Sequence, residues 1–138
     1  MIVVWGIAVL CTLFLSSCKR PEVLDNSTLV NSARNVALTF GPAYVPFFKE
    51  ANVSDVQVFK KEDYGDSRPQ IRKQIGRKFY TVTFTYDSTA VKFDFGFAAR
   101  VRIWKDTGEP LDVIFGNGWG RNFLFKTFVA LIPQHYKY

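Results

Sequence analysis

The chain has 138 residues, of which 48% are hydrophobic and 17% aromatic, and its formal net charge at pH 7 is +6. This length is sufficient for one domain and not for two. With one histidine, His135, and two cysteines, the composition excludes a histidine-based metal cluster and argues against a Ser-His-Asp triad.

The amino-terminal stretch, residues 1–18, carries no charged side chain and is apolar up to Leu15-Ser16-Ser17-Cys18. An apolar run of about 15 residues is shorter than the roughly 20 that a membrane-spanning helix requires. It suits the apolar core of an export signal instead.

Leu15-Ser16-Ser17-Cys18 resembles the bacterial lipobox, in which an aliphatic residue and two small residues precede an obligatory cysteine. The resemblance implies that diacylglycerol is joined to the Cys18 thiol and that the chain is cleaved ahead of Cys18. It predicts a signal peptide at 1–17, a lipid-anchored tether at 18–26 and a single domain at 27–138. In the enteric sorting rule, an aspartate after the lipidated cysteine retains a lipoprotein in the inner membrane. Lys19 occupies this position, which implies an outer-membrane destination facing the periplasm in a Gram-negative source. Because no Lys or Arg precedes the apolar core, an ordinary secretory signal with another cleavage site is the alternative.

The net charge lies wholly in the predicted mature chain, which would keep no free thiol after cleavage removes Cys11 and lipid occupies Cys18. A basic exported domain favours anionic surfaces such as phospholipid headgroups, acidic glycans or acidic proteins. The expected partners are therefore the membrane, through lipid on Cys18, and an anionic envelope component or envelope protein. No cofactor, metal or nucleic acid is expected.

In the mature chain, four apolar residues recur at helical spacing between Thr28 and Phe40, and Gly41-Pro42 ends the pattern. Asn26 or Ser27 is the expected cap of this helix, and Pro46–Ala51 is a possible further helical turn. Strands are predicted at Val56–Lys60, Phe79–Tyr86, Val91–Trp104, 111–115 and 122–128. The segments that connect them are predicted as a polar, mobile loop at 62–78, a turn at 87–89, a hairpin turn at Asp106-Thr107-Gly108 and a glycine-rich corner at 116–122.

The strongest pattern runs from Val91 to Trp104, where apolar residues occupy every odd position up to Ile103. This period of two predicts one long, half-buried strand that bends at Gly96 and Ala98. The order of the elements predicts an α+β fold, with the helix packed on a curved antiparallel meander of four to five strands. This arrangement looks like the cystatin or NTF2-like class, and a small β-barrel is the alternative.

The residues that alternate with the apolar ones in the two longest predicted strands predict a polar sheet face. On this face cations would lie beside an indole and could bind an anionic or sugar-like group. Its candidate binding residues are Lys92, Arg100, Arg102 and Trp104. A solvated sheet face is the plainer interpretation. The loop at 62–78 carries Arg68, Arg72, Lys73, Arg77 and Lys78 and could lie on a phospholipid surface.

The sequence therefore predicts a lipid-anchored, non-enzymatic binding or accessory module of the bacterial envelope, with no catalytic residue identified. One alternative is an envelope hydrolase that uses paired carboxylates, for which Asp94 and Asp112 could approach across the sheet. Another is an exclusion or immunity-type lipoprotein.

Overall fold

A computed structural model describes residues 24–63 and 68–125 and has the predicted α+β fold, with one amino-terminal helix packed on an antiparallel sheet. The elements are α1 (Asn26–Phe40), a 3-10 helix (Pro42–Phe47), β1 (Ala51–Val53), β2 (Gln57–Val58), a second 3-10 turn (Lys61–Asp63), α2 (Pro69–Arg72), β3 (Lys78–Phe84), β4 (Ala99–Trp104), β5 (Pro110–Phe115) and β6 (Gly120–Asn122). The predicted signal peptide, the lipobox with Cys18 and positions 126–128 of the predicted last strand lie outside the described residues.

Helix α1 begins with a side-chain cap supplied by Asp25, whose carboxylate accepts a hydrogen bond of 2.7 Å from the Thr28 amide. The prediction of Asn26 or Ser27 as the cap is therefore wrong by one or two residues. A carboxylate at this position satisfies an amide that the first helical turn leaves without a backbone partner. The next helical segment is also displaced, because it spans Pro42–Phe47 while Ala51 already belongs to β1.

The sheet has six strands in the spatial order β1-β3-β4-β5-β6, and β2 pairs with β3 beside β1. All described pairs are antiparallel. The strand count exceeds the predicted four to five because the chain before β3 contributes two short strands along the same edge. Among the described residues the sheet is open, so the barrel alternative does not hold.

The main core lies between α1 and one face of the sheet. Leu29, Ala33 and Ala37 of α1 are fully buried there. They contact side chains that alternate along the three central strands, namely Val82, Phe84, Ala99, Val101, Ile103, Val113 and Phe115. The two alanines leave space for the large rings of the sheet. Because the buried residues alternate along β4 and β5, the period of two correctly identifies the core face of these strands.

A second core covers part of the opposite sheet face, at the end where β3 begins. It consists of Phe59, Ile71, Phe79, Trp104 and Leu111, all buried. Ile71 lies in α2, within the stretch predicted as a mobile polar loop, and has no exposed surface. The prediction is wrong for residues 68–77, because one apolar side chain in a polar sequence is enough to fold this segment onto the sheet.

The predicted long strand is also shorter than expected, because β4 begins only at Ala99. In the segment before β4, backbone amides donate hydrogen bonds that do not belong to a regular strand ladder. Phe95 donates to the Gly116 carbonyl at 2.9 Å and Ala98 to the Phe84 carbonyl at 2.9 Å. Thr85 pairs instead with Glu50, so residues 85–98 form a loop even though they continue the apolar alternation.

No helix within the described residues is long and apolar enough to cross a membrane.

Candidate functional site

Of the four predicted binding residues, Arg100, Arg102 and Trp104 lie on the face of β4 that points away from α1. Arg100 is exposed, and its guanidinium lies 4.3 Å from the centre of the Phe97 ring. Lys92 is exposed in the loop between β3 and β4 and is not part of the sheet. The predicted surface therefore does not form as a row along one strand.

Arg102 is engaged by a carboxylate on the neighbouring strand. Its Nε donates to Asp112 Oδ1 at 3.0 Å, and its Nη2 also binds that carboxylate. The side chains of Arg102 and Asp112 are only 17% and 5% exposed. A guanidinium that binds one carboxylate through two nitrogens in a largely buried site has a structural role. The prediction that Arg102 is an exposed binding cation is therefore wrong.

Trp104 is 3% exposed and belongs to the second core, where it contacts Phe59 and Phe79 edge to face. The prediction that its indole lies on a solvated face is wrong. Its even position along β4 does place Trp104 on the sheet face that points away from α1. Phe59 and α2, however, cover this face at the end where β4 finishes. Arg77 closes the site from outside, with its guanidinium 3.9 Å from the centre of a Trp104 ring and bound to Asp106 at 2.7 Å.

Asp94 and Asp112, the carboxylates considered for a hydrolase, have different environments. Asp94 is exposed in the loop before β4, whereas Asp112 is 3% exposed and is held by Arg102. Asn122 is the Cα partner of Asp112 on β6 and is also buried, and its Nδ2 has no hydrogen-bond acceptor among residues 24–63 and 68–125. Asp112 is therefore a structural carboxylate in a polar row that crosses the sheet.

A shallow cavity of about 110 Å³ lies at the β4–β5 turn, lined by Leu24 and the four residues Lys105, Asp106, Thr107 and Gly108. Its single carboxylate, Asp106, is bound by Arg77, and this hydrogen bond holds the pKa of Asp106 below its ordinary value. Within the ranges 24–63 and 68–125, no group of three or more His, Cys, Asp or Glu side chains could hold a metal ion.

Exposed aromatic side chains gather at the opposite end of the sheet, where β4 begins and β5 ends. We call Phe47, Phe93, Phe95 and Trp119 the distal aromatic surface. Phe47 and Trp119 are 39% and 44% exposed, and Phe93 and Phe95 are half-buried. The Phe47 and Phe93 rings meet edge to face with centres 5.8 Å apart. Clustered, partly exposed aromatic side chains of this kind mark interaction surfaces more often than isolated ones do.

The glycine-rich corner at 116–120 supports this surface. The Phe93 ring lies directly on Gly116, where an added Cβ would come within 2.6 Å of it, and Phe95 lies against Gly118. Trp119, in the same corner, stacks on Phe115 with ring centres 5.4 Å apart. Gly118 has a φ of 83°, which turns the chain tightly enough to present the indole.

The distal aromatic surface was missed because its residues come from three segments that are distant in the sequence. Phe47 follows α1, Phe93 and Phe95 precede β4, and Trp119 lies between β5 and β6. One signal was present. The glycine-rich corner predicted at 116–122 does contain a turn, at 116–119, although Gly120–Asn122 form β6 and not part of the corner. A tryptophan at a tight polar turn has little sequence-local reason to be buried.

No family model matches the chain, and no curated protein or solved structure is significantly similar to it.

Proposed function

We propose that this chain is a lipid-anchored envelope lipoprotein that acts as a non-enzymatic binding module. The observation that carries the anchor is Leu15-Ser16-Ser17-Cys18 at the end of an uncharged apolar stretch. Lipid on Cys18 would hold the protein at the membrane, which is the outer membrane facing the periplasm in a Gram-negative cell. Two or more acyl chains give stable attachment, whereas one chain alone is marginal.

The anchor is tested by labelling cells with radioactive palmitate. The wild-type chain should incorporate label and appear as a shortened form, and Cys18→Ser should do neither. Cys11→Ser is the matched control, because it changes a cysteine inside the predicted signal and should leave labelling intact. Label that persists in Cys18→Ser would show that the lipobox assignment is wrong.

For the bound partner we propose an anionic envelope component that contacts the distal aromatic surface together with Lys92 and Arg100. Lys92 directly precedes Phe93, and Arg100 packs on Phe97, which stacks on Phe95 with ring centres 5.4 Å apart. The two predicted cations that are exposed thus adjoin the aromatic surface. Aromatic rings bury large apolar areas at interfaces, while exposed cations add attraction that salt screens.

This proposal is tested by quantifying a partner that is crosslinked to the wild-type protein in envelope extract. Trp119→Ala combined with Phe47→Ala should lower the yield at all salt concentrations. Lys92→Glu combined with Arg100→Glu should lower it mainly at low salt. Leu38→Ala is the control, because Leu38 is 46% exposed on α1 and lies outside the surface. A partner that is lost with the control but retained by both double variants would contradict the proposal.

A further inference from the structure

Resting on the proposed lipid anchor, we infer that one end of the domain lies against anionic phospholipid headgroups of the anchoring membrane. We call it the anchor end and define it as residues 57–63, 68–78 and 105–109. In this orientation the distal aromatic surface faces away from the bilayer. The inference follows from where the chain enters the domain and from the charge and exposed apolar residues at that place.

The chain enters the described domain at the anchor end. Leu24 lies against Gly108 in the β4–β5 turn and lines the shallow cavity with Lys105 and Asp106. Asp106 binds Arg77, and the Lys105 amide donates to the Lys78 carbonyl at 2.9 Å. Leu24 is therefore linked by direct contacts to the beginning of β3.

The short chain before Leu24 keeps this end close to the membrane. Leu24 follows Cys18 by six residues, and six residues span at most about 22 Å even when fully extended. The distal aromatic surface lies a further strand length away, since β4 and β5 each have six residues and a strand rises about 3.3 Å per residue. A lipid on Cys18 thus brings the anchor end to the surface before any other part of the domain.

The charge of the anchor end suits anionic lipid. These described residues include eight Lys and Arg against four Asp and Glu. Five of the cations are exposed lysines: Lys60, Lys61, Lys73, Lys78 and Lys105. At an anionic membrane surface each such cation strengthens binding by roughly fivefold. Around the distal aromatic surface, by contrast, Lys49 binds Asp87 at 3.3 Å, and Lys92 is followed within two residues by Asp94.

Two exposed aliphatic side chains lie among these lysines. Val58 and Ile75 are 44% and 46% exposed. Val58 is the Cα partner of Lys78. Gly76, the neighbour of Ile75, donates its amide to the carbonyl of Phe59, the neighbour of Val58, at 2.9 Å, so the two segments lie side by side. Aliphatic side chains surrounded by cations are the combination with which proteins bind the membrane interface.

The experiment uses the full-length, lipidated protein reconstituted into phosphatidylcholine vesicles with or without phosphatidylglycerol. A fluorophore is attached at Ile75→Cys or, as the matched control, at Leu38→Cys, because both native side chains are 46% exposed. Lipids with a quencher on the headgroup report contact. We expect strong quenching at position 75 and little at position 38. Each cation removed, by Lys73→Gln or Lys78→Gln, should lower the contact equilibrium about fivefold in the phosphatidylglycerol vesicles.

Equal quenching at positions 75 and 38 would overturn the orientation while leaving the anchor intact, because the protein would still float with the vesicles. Quenching at position 75 that ignores both phosphatidylglycerol and the two glutamine substitutions would overturn the role of charge. A chain that incorporates no palmitate would overturn the anchor and the orientation together. Quenching confined to position 75 that falls with each lysine removed supports the inference.

Discussion

Arg102 on β4 and Asp112 on β5 are direct Cα partners, and the guanidinium binds the carboxylate through Nε and Nη2 on the sheet face opposite α1. Thr81 on β3 is the partner of Arg102, and Asn122 on β6 is the partner of Asp112. A row of polar side chains thus crosses four strands between the second core and the exposed part of this face. The Asp112 carboxylate is therefore buried, and the positive charge of Arg102 compensates its negative charge.

Removing the cation should therefore destabilise the fold strongly. We expect Arg102→Met to lower the free energy of unfolding by about 3–5 kcal/mol, because Asp112 would be left as a buried charge without its partner. Arg100→Met, two residues away on the same face, should cost at most about 1 kcal/mol, the value of an exposed cation–π contact. Urea unfolding of the two variants measures the difference, and equal losses would contradict it.

The double variant Arg102→Met with Asp112→Leu should recover most of that loss. Replacement of a buried ion pair by apolar side chains of similar size is often neutral or stabilising. Urea unfolding of the double variant against Arg102→Met checks this, and a double variant that is less stable than Arg102→Met would show that the pair itself provides net stability.

The second core makes a prediction about a segment whose sequence is mostly polar. Ile71→Ala should lower the free energy of unfolding by about 2–5 kcal/mol, because the side chain is fully buried in the second core. Ile75→Ala, four residues later, removes the same atoms from an exposed site and should change stability by less than about 0.5 kcal/mol. Similar values for both would mean that residues 68–77 do not pack on the sheet.

Gly116 and Gly96 offer a matched pair around the distal aromatic surface. A Cβ at Gly116 would lie 2.5 Å from the Phe97 carbonyl oxygen and 2.6 Å from the Phe93 ring, whereas one at Gly96 would meet nothing within 4 Å. We therefore expect Gly116→Ala to cost about 1–3 kcal/mol through overpacking. Gly96→Ala should be neutral or slightly stabilising. Thermal unfolding of both variants tests the contrast, and a neutral Gly116→Ala would exclude the close contact.

Asp87 should make stability depend on pH in the acidic range. Hydrogen bonds from the Thr89 side chain and amide, and then from Lys49, lower the pKa of Asp87 from 3.8 to about 2. The folded state therefore binds this proton less readily than the unfolded state, so the stabilisation is fully present above pH 3.8 and is lost as the pH falls through about 2. The stability difference between the wild type and Asp87→Asn should shrink over that window.

The ranking of these causes is also testable. Thr89→Val should raise the pKa of Asp87 more than Lys49→Met does, because Thr89 provides the larger contribution. NMR titration of the Asp87 carboxyl measures both shifts. A larger shift with Lys49→Met would mean that the exposed ion pair at 3.3 Å, and not the turn at Thr89, lowers the pKa.

Local pattern alone was enough to predict the helix, the core face of the sheet and the β4–β5 hairpin. Leu29 and Ala33 recur at helical spacing, and Val101 and Ile103 alternate with polar neighbours, so the buried side of each element follows from its own geometry. Gly108, with a φ of 71°, occupies the position in the hairpin where glycine was expected. These features depend on residues that are close together in the chain.

Only the tertiary structure decided what covers the other side of the sheet. The period of two places Trp104 and Arg102 opposite α1, but it does not reveal that Phe59 and Ile71 pack over Trp104 or that Asp112 meets Arg102. The alternation at Phe93 and Phe95 likewise reflects contacts with Gly116 and Gly118 and not a strand. Burial is set by contacts between distant segments, and a single polar-looking segment can supply the one side chain that turns a solvated face into a core.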